Sequence, residues 1–435
     1  MRTDTGGGRK RILLGFTSVP FPLRADGLSV RYLPILQYLG QRHEVDVIAT
    51  AGSPEAARRL EGLRPYCRKV LTLEDPRRLR ARTWMKAQTY AHYLLPWGPP
   101  ISVVSHAGSA VTREIVDRTA GSRYDAVVWV GGDLLPHLLS ALPAMSVDKV
   151  FVDFIDSPYL WAQRRNDGIF RRRWFSRYER WKTARWERRV IREVDGAIFI
   201  SEVDARAVSS GDAPMQKRYV VPNGINLPSG GNGDTVSLPT PNVGFLGNMG
   251  YPPNIEAVEW LYQEVYEPLR GLRPELNLVV IGRNPSASVR TLGKQPGVTI
   301  TGEVDDIWSY IRSIDLFLFP LLRGAGLKNK ILEAMFAGRP VVTTAVGNEG
   351  IDATDGEEVA LCRTAEDFRR TAIRLLDSPG ERRRMGEAGH AFVRSNFAWG
   401  PLLSKFEGIL LEGTVRPHAG NAGDRARQDL RGTPD

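Results

Sequence analysis

Lys328 and Lys330 stand two residues apart behind a pair of glycines, in Gly324-Ala-Gly-Leu-Lys-Asn-Lys330. The apolar spacing that follows, Ile331, Leu332, Met335 and Phe336, is helical. Cations at a helix start oppose the macrodipole, where acidic residues are expected. A bound anion would remove that conflict, because two ammonium groups and the free N–H groups of a first turn then converge on it. A diphosphate has the matching size and charge. Gly324 and Gly326 let the backbone approach such a ligand. Glu333 shares a helical face with Asn329 and Lys330, and a carboxylate there can accept hydrogen bonds from a ribose diol. The plainer alternative is a lysine-rich helix start in which Glu333 only pairs with Lys330. It leaves the glycines and the later Gly347-Asn-Glu-Gly350 unexplained.

These side chains need a frame. The apolar run Asp315–Pro320 predicts a buried strand, and Lys328–Ala337 a helix stopped by Gly338 and Pro340. Val341–Thr344 predicts a second strand, and Gly347–Gly350 the loop after it. Strand, glycine loop, helix and strand make a βαβ unit, which implies a parallel sheet. The same grammar opens the chain. Arg11–Val19 predicts a strand, Pro20–Ser29 a loop, Val30–Leu39 a helix and Glu44–Ala49 a second strand. It restarts at Val243–Gly250, a strand running into a glycine turn, with a helix over Asn254–Leu269. The Gly, Ser, Thr, Pro and Asn of Leu227–Pro241 mark a linker between the two halves. In open α/β sheets ligands bind beyond the C-terminal strand ends, which makes Asp133 and Asp156 candidate groups on the first half. Both also suit helix caps.

The stretch GAGLKNKILEAMFAGRPVVTT, with the following GNEGI, resembles the donor-site signature of retaining GT-B glycosyltransferases of family 4, group 1 type. It is most similar to a branch with the pattern G-x-G-x-K-x-K-x-x-E-A. The family usually carries two glutamates eight apart. Glu333-Ala334 matches the second, and Ala325 stands where the first, which usually touches the transferred sugar, would be. Pro222-Asn-Gly-Ile-Asn226 resembles the PNGID that closes the family's first domain.

The resemblance implies two Rossmann-like domains facing across a cleft, with a C-terminal helix crossing back to the first. On this reading the chain divides into a disordered tail 1–9, an acceptor domain 10–226, a linker 227–241, a donor domain 242–396, a crossover helix 397–412 and a disordered tail 413–435. It also implies transfer from a nucleotide-diphosphate sugar with retention of configuration, no metal and no cofactor beyond that co-substrate. Lys328, Lys330 and Asp133 would form the catalytic set. The donor would meet Gly27, Gly247, Asn248, Arg283, Val304, Gly326, Leu327, Asn329, Glu333 and Glu349. Arg31, in the loop-to-helix region after the first strand, is a further diphosphate candidate. Polysaccharide, lipid-linked and small natural-product acceptors all stay open.

Composition bounds the reading without choosing a substrate. The 435 residues suffice for two domains, and 42% apolar with 25% charged residues is an ordinary globular balance. A net charge of +10 suits any anionic partner. Cys67 and Cys362 lack metal spacing and read as free thiols of a reducing compartment. The short apolar run Ile12–Phe16 reads as a buried strand rather than a leader, and no run reaches membrane-spanning length. A cytoplasmic protein is expected. Arg171–Arg192 holds ten Lys/Arg, with Trp174, Tyr178 and Trp181 on one helical stripe. It fits a core helix with solvated arginines, a contact with anionic membrane at the inner face, or single-stranded nucleic acid. No nucleic-acid module accompanies it, and none is expected as partner. Two further readings compete with the transferase. One is a basic membrane- or nucleic-acid-binding protein on an inactive GT-B scaffold; the other is a nucleotide-sugar epimerase, which would need no acceptor.

Overall fold

A computed structural model of the chain describes residues 8–23, 27–51, 53–74, 95, 100, 103, 109–131, 135–164, 173–207, 215–225, 234–324 and 326–412. Asp133, Ala325, Asn226 and nearly all of both expected tails lie outside the described residues.

Two parallel sheets organise the chain. The first has the order β3-β2-β1-β5-β7-β8-β9, from β1 (Arg11–Phe16), β2 (Glu44–Ala51), β3 (Lys69–Glu74), β5 (Ala126–Val130), β7 (Val150–Ile155), β8 (Gly196–Phe199) and β9 (Arg218–Val220). A two-stranded parallel ladder, β4 (Arg123–Tyr124) with β6 (Ser146–Val147), stands beside it. The second sheet has the order β12-β11-β10-β13-β14-β15, from β10 (Asn242–Leu246), β11 (Asn277–Ile281), β12 (Val298–Ile300), β13 (Leu316–Phe319), β14 (Val341–Thr343) and β15 (Ala360–Leu361). This is the doubly wound, two-domain α/β arrangement of the GT-B fold.

The strands read as near-continuous apolar runs because helices cover both faces. In β1, Ile12, Leu14 and Phe16 enter one buried cluster while Leu13 enters the cluster on the opposite face. The helix α1 (Gly27–Arg42) packs Tyr32, Ile35, Leu36 and Leu39 onto the first of these. The last described helix, which is α5 (Trp399–Glu412), adds Leu402, Leu403, Phe406, Ile409 and Leu410 to the same cluster. The last described helix therefore returns the chain to the first domain after the second is complete. Truncating a buried phenylalanine such as Phe406 costs about 3–5 kcal/mol.

Local details differ from the sequence reading. The helix after β10 is not one α-helix over Asn254–Leu269. It runs from Pro252 to Trp260, widens to a π-helical turn over Leu261–Tyr266, and resumes over Glu267–Leu272. Pro268 offers no N–H at the resumption, so the regular ladder cannot pass through it. Gly347–Gly350 is not wholly a loop, because Ala345–Asn348 closes a helical turn capped by the Thr344 hydroxyl, which accepts the Gly347 N–H at 3.1 Å. Helix α5 starts at Trp399, two residues inside the expected crossover segment 397–412, and ends with it at Glu412. Gly400 and Pro401 fall in its first turn, where proline's missing N–H has no intrahelical partner to lose. Residues 234–236 of the predicted linker are held on the second domain: Val236 N–H donates to Ser313 Oγ at 2.8 Å, and the Asp234 carbonyl accepts from Arg312 at 2.8 Å.

Candidate functional site

Each sheet reverses its strand order beside its first strand, between β1 and β5 and between β10 and β13. The loops diverge there and leave a crevice at the strand ends. In the second sheet the crevice is bounded by Gly247–Tyr251 after β10 and by Pro320–Lys328 after β13. The latter leads into α4 (Asn329–Phe336).

The start of α4 has no side-chain cap and no acidic residue in its first turn. Lys328 is 8% exposed, and its ammonium donates back to the Gly326 carbonyl. Burial lowers its pKa. The Lys330 ammonium reaches the helix that follows the loop after β10, where it donates to Asn254 Oδ1, and lies 5.2 Å from the ring centroid of Phe245 in β10. A Cβ at Gly247 would stand 2.8 Å from the Asn254 amide nitrogen and displace the group that holds this lysine. Burial, with the charge of Lys328 adding to it, pushes Lys330 down to about 7. Glu333 acts in the opposite direction on Lys330 from the same helical face. Two ammonium groups held this close are a preformed site for negative charge.

The first domain closes over this turn. Asp156, just past β7, presses its carboxylate against Gly326. A Cβ there would lie 2.0 Å from Asp156 Oδ1, and the residue's φ of +73° is glycine's territory. Burial, with Asp204 nearby, pushes Asp156 up to about 6, and Lys328 opposes the rise. Arg164 ends α2 (Pro158–Arg164) and forks across the cleft. It donates to the Gly324 carbonyl at 2.8 Å and to both carboxylate oxygens of Glu349, at 2.7 Å to Oε1. Asn223 Nδ2 meets Asn329 Oδ1 at 3.3 Å.

The residues expected at the donor sort as follows. Gly247, Gly326, Lys328, Asn329, Lys330, Glu333 and Glu349 gather around the turn before α4 or its immediate neighbours. Asn248 joins the same loop through Oδ1, which accepts the Gly250 N–H at 3.0 Å. The Arg283 carbonyl accepts the Met249 N–H at 2.9 Å, which brings the loop after β11 alongside. The Leu327 side chain is 8% exposed and belongs to the second core, so a ligand contact there falls to the backbone. Val304 likewise packs its side chain on that core. Gly27 is the exposed first residue of α1, with open space where a Cβ would stand.

Arg31 is a correction. It is fully buried inside the first domain, bonded to Asp153 at 2.8 Å, to the Val221 carbonyl at 2.8 Å and to Asn223 at 3.1 Å. Its charge is spent on Asp153, which also accepts from Tyr32 at 2.6 Å. It orients Asn223, and through it the contact with α4, rather than meeting a ligand.

The basic stretch forms α3 (Arg173–Glu193). Lys182, Thr183, Trp186, Glu187, Val190 and Ile191 are buried, whereas Trp181 is 42% exposed and stacks on Tyr178 with ring centroids 5.8 Å apart. Arg185 lies over the Trp181 ring at 5.6 Å. Not all of its aromatics turn inward, therefore. Glu187 is pushed up to about 8 by burial while it accepts from Ser157 and Tyr159. Cys67 and Cys362 are both free thiols. Among the described residues no helix is long and apolar enough to cross a membrane, and no three His, Cys, Asp or Glu gather to hold a metal.

Sequence reasoning missed Asn254, Arg164 and Trp161. Asn254, at a helix start just after a glycine turn, carried a local signal. Arg164 carried none, because its partner Glu349 is 185 residues away.

Residues 240–378 match the family described as "Glycosyl transferases group 1". The chain is 25% identical over 172 residues to an uncharacterized 44.6 kDa protein in the cps region of Klebsiella pneumoniae, covering 38% of this chain and 44% of that one. It is 27% identical over 119 residues to an uncharacterized glycosyltransferase of Methanocaldococcus jannaschii, covering 26% of this chain and 30% of that one. The chain thus matches less than half the length of either relative. Among solved structures, HepE of Anabaena in complex with UDP superposes with a TM-score of 0.62 at 13% identity, covering 92% of this chain and 100% of that one. Residues 240–378 are thus similar to the group 1 glycosyl transferases, and the chain has a GT-B fold.

Proposed function

We propose that the protein transfers a sugar from a nucleotide-diphosphate sugar to an acceptor, with retention of anomeric configuration and without a metal. The observation that carries this reading is the pairing of two neighbouring ammonium groups, buried Lys328 and half-buried Lys330, at the uncapped start of α4. When the bond from the anomeric carbon to the diphosphate breaks, charge develops on the departing oxygen. Ammonium groups and helix-start amides already in place stabilise that charge without reorganising. Glu333, one turn further on, suits the ribose. The acceptor approaches from the first domain, whose Asp156 and Arg164 face the same turn. Those contacts leave the two domains touching, so donor entry requires them to part and turnover requires them to close again. The similarly folded HepE of Anabaena holds UDP, which supports a nucleotide of this kind.

The test is incubation with UDP-, GDP-, ADP- and dTDP-sugars and an extract-derived acceptor, with release of free nucleotide as readout. Lys330→Ala and Glu333→Ala should each lose most of the activity. Unimpaired turnover in both would sink the assignment. Conversion of the nucleotide sugar to an isomer without any acceptor would assign the epimerase reading instead.

A further inference from the structure

Six large apolar side chains are exposed among the described residues, and three of them, Trp161 at 44%, Tyr251 at 45% and Leu322 at 54%, belong to the rim of the cleft. Trp161 stands on α2, one turn before Arg164. Tyr251 ends the glycine loop after β10, and Leu322 lies in the loop after β13. The two aromatics come from different domains and approach each other: the Trp161 side chain lies close enough to act on the Tyr251 phenol. Asp156 and Arg323 lie within electrostatic reach of the same phenol, and Arg323 is itself held by Glu256. The Asp156 carboxylate against Gly326 is thus the inner end of a short track, and the aromatic pair its outer end.

We propose that this track is the acceptor subsite and that the acceptor is a saccharide, its ring laid on Trp161 and Tyr251 and a hydroxyl held by Asp156. The inference rests on the transferase reading and names its acceptor class. Rigid aromatic faces give large contact area at little loss of rotamer freedom, and exposed apolar groups clustered at a cleft mark a binding surface. A sugar ring offers C–H faces to aromatic rings and hydroxyls to a carboxylate, so this combination suits it. A polyprenyl chain would call for a longer aliphatic groove and has no use for the buried carboxylate. Asp156, pushed up to about 6, is charged above that pH and then accepts the hydroxyl proton of the sugar.

The test uses the full chain and whichever nucleotide sugar it binds. Transfer is measured to maltose, cellobiose, lactose and chitobiose in solution, and to decaprenyl phosphate in detergent micelles. Donor affinity is measured separately by calorimetry. Expected is transfer to at least one of these disaccharides, with acceptor KM raised tenfold or more by Trp161→Ala. Trp161→Phe should restore most of it, and donor Kd should stay within twofold in both. Asp156→Asn should lower kcat at pH 8 far more than at pH 5.5, where the wild-type group is itself protonated. Transfer to decaprenyl phosphate alone, or a saccharide KM indifferent to Trp161→Ala, would overturn the proposal. A wild-type chain that binds no nucleotide sugar would defeat the donor-site reading itself, and this subsite with it.

Discussion

The lysine pair makes a quantitative demand on pH. In the empty protein Lys330 titrates near 7, because burial and the neighbouring Lys328 both oppose its charge. A bound diphosphate reverses that environment and stabilises the ammonium form. Binding above neutrality must therefore take up a proton, and affinity must fall as pH rises. If the complex returns Lys330 to an ordinary lysine value, donor affinity drops roughly twentyfold between pH 6.5 and 8.5. That is about 1.8 kcal/mol, well inside calorimetric resolution. A nucleotide-diphosphate sugar suits the assay because its diesterified diphosphate does not titrate in this window. Calorimetry at pH 8 in buffers of different ionisation enthalpy should report uptake of about one proton per site. Lys330→Met keeps the length of the side chain and removes the charge. Its affinity should be low and nearly flat across the same range. Stability of the empty protein should move the other way. A lysine with a depressed folded pKa lets the unfolded chain bind more protons above pH 7, so its unfavourable contribution fades as pH rises from 7 toward 10. Affinity that stays constant or rises with pH in the wild type, or no proton uptake at pH 8, would refute the reasoning.

Other consequences follow from the same geometry. Gly326→Ala places a methyl against Asp156 at a positive φ, and should weaken donor binding and lower Tm. Gly380→Ala, on an open helical position, should be neutral or stabilising by up to about 1 kcal/mol in thermal unfolding. Arg164→Ala removes the bonds to Glu349 and Gly324 that join the domains. Solution scattering of the empty chain should then show a larger radius of gyration while donor binding persists; an unchanged radius would count against the contact. Glu187, held protonated up to about 8, contributes stability that is lost as pH rises through that value. Glu187→Gln should match the wild type near pH 5 and exceed it in Tm above pH 8, and equal melting curves at pH 9 would contradict the burial argument.

How much was legible beforehand depended on whether the signal was local. The apolar runs of β1 and β13 and the glycine turn before α4 are short-range patterns, and the structure has strands and a turn there. The spacing of Asn329, Lys330 and Glu333 predicted a shared helical face because α-helical geometry leaves little freedom at that separation. The π-helical turn at Leu261–Tyr266 and the helical turn at Ala345–Asn348 were missed. Each depends on a single proline or hydroxyl acting against a neighbour, which periodicity does not register. Arg31 was misread for a related reason. A cation near a first glycine loop looks like a ligand group until its partner, Asp153, arrives from a strand 122 residues later.

By itself the amino-acid sequence determined two parallel α/β halves and a cationic, glycine-hinged turn in the second, since backbone sterics and side-chain periodicity act between near neighbours. Only the tertiary structure decided what faces that turn. Asp156, Arg164, Trp161 and Asn223 come to it from the other domain; a strand end and the Pro222–Asn226 motif mark Asp156 and Asn223, but nothing in their own surroundings along the chain marks Arg164 or Trp161. Their positions follow from how two sheets, each packed through its own core, meet across a cleft, and that meeting is set by the sum of many distant contacts rather than by any one stretch of residues.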